Sequence, residues 1–519
     1  MLILATVSIL LLTALSLLLL RALRPGFKYP WMVAVSGSSL ALLSVFLWQL
    51  RFPDTLALAP WQTGGGALVF PAWVADGRSW PYALALQALT AAVIWTSVVR
   101  NENEPTIWAG TLVLSAAGVS AAAAGNLVTM ILAWAAIDLI ELGILLRAMD
   151  GAEPVKSAIL AYGFRLVGTL IAIWALLDAA SRGLTVSFDG VPARTAILLI
   201  LAAGFRLGVF PLHVLFGQDN VLHRGFATVL RMVSAITGLV LLARLPGQLP
   251  STLFPILLTL LAAVAAIYSG WMWLRSSDEV VGRPFFMLGM ASLAVAAVLL
   301  GNPSASLGWG TALLLTGGAL FLYSARQRSY FWFLLFSLWP ALTLPFSLTA
   351  AAWSVDRPGG ALFLPPLALA QALLIAGCIR HMQHPGETSL ESQERWSRVI
   401  YPIGLGLPIL TGILLGLWGW EGARNPGTWW LGILQVLLSA GVVLLADRFL
   451  AGIKHSVPAR WTSAFRLGWL PTAIVRFYRT TGRLAALVTS TLEGDGGLLW
   501  SFLLLVLILS LLATGARQP

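Results

Sequence analysis

Residues 126–147 read NLVTMILAWAAIDLIELGILLR. The run is almost entirely apolar, and a helix of this length, rising about 1.5 Å per residue, crosses roughly 30 Å of hydrocarbon. Two carboxylates, Asp138 and Glu141, stand three residues apart inside it and therefore share one helix face. The run predicts a transmembrane helix with acidic side chains in its middle.

Similar runs occupy most of the chain. Of its 519 residues, 58% are hydrophobic and 10% are charged, whereas soluble domains carry about 25% charged residues. The alternating polarity of a membrane β-barrel is absent. The sequence predicts an all-α membrane protein with about sixteen spans, near residues 2–20, 30–49, 79–99, 107–124, 126–147, 155–178, 195–215, 226–245, 252–274, 284–301, 307–325, 330–351, 361–380, 399–419, 428–449 and 497–514.

The basic residues predict the topology. The formal charge is +11, but the cations lie in short loops, which indicates the positive-inside rule and gives no reason to expect nucleic acid as a partner. With the N-terminus outside, cytoplasmic segments hold about 21 of the 32 basic residues and outer segments about 8. We expect a multi-pass protein of the cell inner membrane, with a retained first span and both termini outside.

Residues 451–496 differ from the other loops because cations and aromatic side chains alternate in them. This composition predicts a basic amphipathic helix lying at the membrane interface and binding lipid headgroups. An ordinary basic cytoplasmic loop is the alternative. The cations are Lys454, Arg460, Arg466, Arg476, Arg479 and Arg483.

A few ionisable side chains fall inside predicted spans, where a charge costs roughly 2.5–3.5 kcal/mol on insertion scales. They could form a buried path for protons or ions. Alternatively, the arginines neutralise the acids and hold four helices together. The set is Asp138, Glu141, Arg165, Arg206, His213 and Arg231.

Prolines predict breaks in two spans. Pro211 lies within the seventh, and Pro340 and Pro345 lie within the twelfth. Interrupted spans in corresponding positions of two halves are typical of repeat-built ion-translocating folds.

We expect no catalytic, cofactor or metal site. The single cysteine, Cys378, excludes an internal disulfide or a cysteine-ligated cluster. Histidines are scattered, and no glycine-rich nucleotide loop or nucleophile arrangement is visible.

Four stretches occur in a distinctive order: 70–79 (FPAWVADGRS), 126–134 (NLVTMILAW), 156–168 (KSAILAYGFRLVG) and 205–213 (FRLGVFPLH). Together they resemble the antiporter-like membrane subunits of complex I (NADH:quinone oxidoreductase), of multisubunit Na+/H+ antiporters and of membrane-bound hydrogenases. The resemblance covers most of residues 70–350 and extends more loosely to the basic segment and the last span.

The resemblance implies two inverted five-helix repeats, each with a broken helix, the seventh and the twelfth. The implied organisation is 1–106 (spans 1–3), 107–245 (first repeat), 252–380 (second repeat), 399–450 (spans 14 and 15), 451–496 (amphipathic segment) and 497–519 (last span).

The chain departs from the family pattern at the proton-relay positions. Ala135 stands where the family has glutamate, so Asp138 and Glu141 are the candidates to replace it, and Arg206 and Arg231 stand near the family's lysine and histidine or lysine. The lysines of the eleventh span and the lysine or glutamate of the twelfth are replaced by residues 316–318 (TGG) and 350–353 (AAAW). Because arginine stays protonated, these changes leave no continuous series of titratable groups.

The predicted function is therefore a non-redox membrane subunit of a proton- or cation-translocating assembly. Its partners would be other membrane subunits of a hetero-oligomeric complex. Its proton path would be degenerate and its role mainly structural. The alternative is an independent secondary transporter of a small anion that binds to Arg206 and Arg231.

Overall fold

The computed structural model describes most of the first 450 residues. The described residues are 1–58, 61–62, 68–100, 104–148, 152–182, 187–188, 191–212, 222–250, 252–325, 328–383, 390, 393–419, 421–424, 429–450, 476, 480, 483 and 506. The chain divides into two compact units, Met1–Lys454 and His455–Pro519. The predicted amphipathic segment 451–496 and the predicted last span lie almost wholly outside the described residues.

Helices dominate the first unit. In chain order they are α1 (Leu2–Leu23), α2 (Pro30–Phe46), α3 (Ser79–Thr96), α4 (Pro105–Ala122), α5 (Leu127–Ala148), α6 (Ala152–Ser181), α7 (Ala193–Leu207), α8 (Arg224–Arg244), α9 (Leu253–Arg275), α10 (Glu279–Leu299), α11 (Pro303–Ala312), α12 (Gly318–Leu322), α13 (Arg328–Leu335), α14 (Leu364–Gln383), α15 (Arg395–Leu414), α16 (Glu421–Arg424) and α17 (Trp429–Leu450).

Among the described residues, thirteen helices are long and apolar enough to cross a membrane. They correspond to the predicted spans 1–6, 8–11 and 13–15, with α11 and α12 joined through the π-helical turn Leu313–Gly317 into one span. This confirms an all-α membrane protein. The sixteenth span stays a prediction.

The seventh and twelfth predicted spans are shorter helices. α7 ends at Leu207, where Gly208 takes a left-handed conformation with φ 79°. In the twelfth, α13 passes into the 3-10 turn Phe336–Ala341, which contains Pro340, and regular helix then ends. Pro345 follows between Thr343 and Phe346, two residues with positive φ.

Short strands cover one end of the bundle. β1 (Asp54–Ala57) pairs antiparallel with β4 (Ala72–Ala75), and β2 (Trp61–Gln62) pairs antiparallel with β3 (Leu68–Val69). We call this the strand end, and the other the opposite end. α8 begins at the opposite end and finishes at the strand end, where Arg244 meets Asp76.

The centre of the first unit is formed by α3, α8 and the α11–α12 span, whose membrane-length segments are 89%, 94% and 100% buried by the rest of the chain. By contrast, the other described residues bury only 28% of the membrane-length segment of α1 and 17% of that of α17. Asp138, Glu141, Arg165, Arg206 and Arg231, which lie on α5–α8, are buried.

Candidate functional site: a buried ion-pair cluster

The site begins with one face of α5. Asp138 and Glu141 share one face of the helix because they are three residues apart. That face packs toward α6 and α8, so both side chains are buried. Trp134 lies one turn earlier on the same helix, and its indole N–H donates to the Thr237 carbonyl oxygen of α8 at 3.1 Å. α5 is thereby tied to α8 directly beside the two carboxylates.

Glu141 is paired with Arg165 of α6. Two guanidinium nitrogens of Arg165 donate to the two carboxylate oxygens of Glu141, one of them, Nη2, at 2.8 Å. The same guanidinium lies 3.7 Å from Asp138 Oδ1. Arg165 therefore connects α6 to both acids of α5.

Asp138 is paired with Arg206 of α7 in the same way. Arg206 Nη1 donates to Oδ2 at 2.6 Å, and Nη2 donates to Oδ1 at 2.8 Å. Nη1 also donates to the Thr169 hydroxyl at 3.0 Å, and the guanidinium carbon lies 4.3 Å from the Trp134 ring centroid. This combination of a bidentate carboxylate contact with stacking on an aromatic face uses the planar shape of arginine.

Arg231 of α8 completes the set. It is buried and close enough to act electrostatically on Glu141. With Arg165, Arg206 and Ser234 it lines a cavity of about 30 Å³ against α10. We call Asp138, Glu141, Arg165, Arg206 and Arg231 the ion-pair cluster.

His213, the sixth predicted residue, lies outside the described residues. Pro211 follows α7 and is exposed. α7 ends at Leu207, four residues before it, and the interruption covers residues 208–212, with Gly208 in the left-handed conformation. Pro340 and Pro345 lie where regular helix ends in the twelfth span, far along the chain from the cluster.

A second buried cluster was not predicted. At the opposite end, Glu279 accepts from Arg224 of α8 and, at 2.6 Å, from Arg283 Nε one turn along α10. Both arginines also donate to the Phe321 carbonyl at the end of α12, at 2.7 and 3.0 Å. The tenth span is predicted from the sequence to begin at 284, which leaves Glu279 in the preceding loop. The i,i+4 spacing of Glu279 and Arg283 is the sequence signal that could have predicted this ion pair.

These groups form buried ion pairs. Each carboxylate is held by guanidinium groups that stay protonated, and no carboxylate of the ion-pair cluster is without an arginine partner. Among the described residues, no group of three or more His, Cys, Asp or Glu side chains could hold a metal ion.

The chain is similar in structure to several solved proteins, but its sequence matches no known family. No protein-family model and no curated protein sequence matches the chain. A chain of the Mrp complex from Dietzia sp. aligns over 100% of this chain with a TM-score of 0.74 and 15% identity. This chain spans 63% of the length of that one.

Two respiratory complexes align similarly. A chain of the membrane-bound sulfane sulfur reductase, an archaeal respiratory membrane complex, covers 98% of this chain with a TM-score of 0.64 and 14% identity, over 100% of its own length. A chain of respiratory complex I from Thermus thermophilus covers 85% with a TM-score of 0.60 and 19% identity, over 98% of its own length. At the level of the fold, these similarities confirm the predicted resemblance to the antiporter-like membrane subunits.

Proposed function

We propose that this chain is a non-redox membrane subunit of a hetero-oligomeric, cation-translocating type of complex, in which its ion-pair cluster holds helices together and does not relay protons. The fold supports a place among membrane subunits of complex I-like or Mrp-like assemblies. The pairing of both α5 carboxylates with arginines supports a structural role.

The bidentate engagement of the carboxylates is the observation that carries the proposal. A proton relay needs groups that gain and lose protons. Glu141 and Asp138 each have both oxygens occupied by a guanidinium fork. Neutralising either acid would leave a buried arginine uncompensated, which typically costs about 3–5 kcal/mol. The pairs therefore oppose protonation of the acids that a relay would use.

The second half of the first unit supports the same interpretation. Among the described residues of 252–383, the buried Asp, Glu, Lys and Arg side chains are Glu279 and Arg283, which are paired with each other. The eleventh span has Thr316 at its π-helical turn, and its hydroxyl donates to the Ser337 carbonyl at 2.7 Å. Residues 307–325 and 330–351, the eleventh and twelfth predicted spans, thus contain no Asp, Glu, Lys or His. His381 of α14 is also buried in this half, where its Nε2 lies 3.0 Å from both the Ser276 hydroxyl and the Trp273 carbonyl oxygen.

We also propose that α4–α8 and the helices from α9 to α14 form two inverted five-helix repeats. The interruptions after α7 and after α13 support this arrangement, because they fall in the two spans for which the repeat predicts a break. The alternative of an independent anion transporter is less well supported, since both terminal nitrogens of Arg206 are already bonded to Asp138 and the guanidinium packs on Trp134.

A compensating pair of substitutions tests the structural role. Glu141 is paired with Arg165, so a change of Arg165 is the one expected to compensate for a change of Glu141. Glu141→Gln and Arg165→Gln should each lower the yield of assembled complex, and the double variant should recover most of it. Proton flux per assembled complex, measured after reconstitution into vesicles, should be unchanged in the double variant.

Proton transport by Glu141 would give a different pattern. Glu141→Gln would then assemble normally but lose coupled proton flux, and Arg165→Gln would not restore it. Arg182→Gln is the control, because Arg182 forms an exposed pair with Asp178 on α6 and its loss should change neither assembly nor flux.

A further inference from the structure

A surface at the opposite end of the first unit combines basic and aromatic side chains. The turn from α1 to α2 lies at this end, because α1 begins at the strand end beside β1. The rings of Trp31 of α2 and Trp396 of α15 meet there, with centroids 5.4 Å apart. The Trp31 indole N–H donates to the Ile94 carbonyl oxygen of α3 at 3.3 Å. We call the surface around this ring pair, formed by residues 24–32 and 395–403, the basic seam.

Three exposed cations of the basic seam have no acidic partner. Arg24 and Lys28 lie on the turn between α1 and α2, and Arg395 begins α15. None of the three forms an ion pair within the part of the chain that the structure describes. The carboxylate of Glu394, which precedes Arg395, accepts from the Trp396 indole N–H. The seam therefore presents positive charge to its surroundings.

Cations on both sides of the ring pair can reach one phosphate group. Lys28 is three residues from Trp31, a distance of at most about 10 Å along the chain, and Arg395 is next to Trp396. The long stems of lysine and arginine extend this reach. Phosphate oxygens accept strong charge-assisted hydrogen bonds from ammonium and guanidinium groups. A phosphate seated against the ring pair can therefore contact cations of two different helices.

The cations border an exposed apolar surface. Phe27 and Tyr29 pack edge to face with ring centroids 6.2 Å apart, and both are exposed. Further along the two helices, Met32 of α2 and Val399 and Ile403 of α15 are exposed as well. Aromatic rings of this kind are enriched at the headgroup level of a membrane. Cations, aromatic rings and apolar chains thus follow one another in the order of phosphate, glycerol and acyl chain in a phospholipid.

We propose that the basic seam binds the headgroup of an anionic phospholipid, with its phosphate between Lys28 and Arg395 and its acyl chains along α2 and α15. Basic pockets between transmembrane helices bind such headgroups. The segment 451–496 of the same chain is itself basic, so its charge disfavours it as the occupant. The lipid site requires neither proton transport nor a structural role of the ion-pair cluster.

Photo-crosslinking with a phosphatidylglycerol analogue that is reactive on its acyl chain tests the site. The purified full chain, with whatever subunits accompany it, should show saturable labelling of the basic seam. Unlabelled phosphatidylglycerol should compete at constant ionic strength, and phosphatidylcholine should compete far less. Lys28→Gln combined with Arg395→Gln should raise the half-saturating concentration about tenfold, because each cation near the headgroups strengthens binding several-fold. The control, Arg51→Gln combined with Arg147→Gln, removes two exposed cations outside the seam and should keep the wild-type labelling.

Equal competition by phosphatidylcholine, or unchanged labelling in the Lys28 and Arg395 double variant, would overturn the proposal. Should that variant fail to assemble, competition in the wild-type protein still decides between anionic and zwitterionic lipid. Soluble glycerol phosphate should not compete, and full competition by it would assign the seam to a free phosphate compound instead. A seam that is not labelled at all would be covered by another subunit or segment, which would also refute the lipid site.

Discussion

The Arg206 side chain uses its shape as well as its charge. Its two terminal nitrogens meet the two oxygens of Asp138, a third contact reaches Thr169, and its plane covers the ring of Trp134. Lysine would supply the charge but neither the fork nor the flat face. Arginine at this position therefore suits a fixed contact among α5, α6 and α7.

Arg206→Lys should destabilise the protein even though the charge is kept. We expect a loss of about 2 kcal/mol in the free energy of unfolding, because one charged hydrogen bond and part of the stacking disappear. Denaturant unfolding in mixed detergent micelles measures this free energy. The matched control is Arg182→Lys, because Arg182 is paired with Asp178 and its side chain is 46% exposed. This change should lower the free energy of unfolding by no more than about 1 kcal/mol. Equal losses in the two variants would contradict the role assigned to the fork.

At the same scale, the sequence predicted which charged side chains fall inside spans but not how they pair. Spacing within one helix places Asp138 and Glu141 on a common face. The choice of Arg165 for Glu141 and Arg206 for Asp138 depends on how neighbouring helices pack, which no single span encodes. Thr169 and Ser234 could not be identified either, because an isolated hydroxyl in a span is ordinary.

At the scale of the helices, the end of α7 is marked by a glycine in a left-handed conformation. The chain leaves the helix at Gly208, and the backbone N–H groups of Val209 and Phe210 both donate to the Gly204 carbonyl, at 2.8 and 3.2 Å. The sequence predicted a break at Pro211, and the interruption of residues 208–212 contains that proline but begins at Gly208. A glycine inside an apolar run gave only a weak signal for this position.

Gly208→Ala should destabilise the seventh span. An L-residue in the left-handed conformation costs about 1–2 kcal/mol, and Gly208 has φ 79°. The loss is measured from the unfolding midpoint of the purified complex. Gly143→Ala is the control, because Gly143 lies within α5 and an added Cβ meets no atom within 4 Å. We expect this control to be neutral or slightly stabilising, and a loss as large as that of Gly208→Ala would contradict the explanation.

The start of α10 shows why boundaries were less accurate than the spans themselves. The hydrophobic run predicted a start near 284, but the helix begins at Glu279. Asp278 caps it by accepting from the Val281 backbone N–H at 2.9 Å. A search for apolar runs does not detect a first helical turn made of charged residues. For this reason the sequence did not predict that Glu279 lies in the tenth span.

Over the whole molecule, hydrophobic run length predicted thirteen of the spans to within about five residues at either end. The seventh and twelfth helical segments end earlier than predicted, at Leu207 and Ala341. Run length could not predict which spans lie at the centre. α3 and α8 are as apolar as helices that face outward, and their burial depends on the packing of the others. The interface role of residues 451–496 and the sidedness of the termini stay predictions.

Cysteine labelling can test the sidedness, since the single native cysteine, Cys378, is buried in α14. Gly26 and Gly77 lie in exposed turns before and after the second span, and an added Cβ at either meets no atom within 4 Å. The distribution of arginine and lysine predicts an N-terminus outside. Gly77→Cys should therefore react with an impermeant maleimide added to intact cells. Gly26→Cys should react only after permeabilisation. A permeant maleimide should label both variants and leave the parent chain unlabelled. Labelling of both from one side would mean that residues 30–51 do not cross the membrane, and the reverse pattern would place the N-terminus inside.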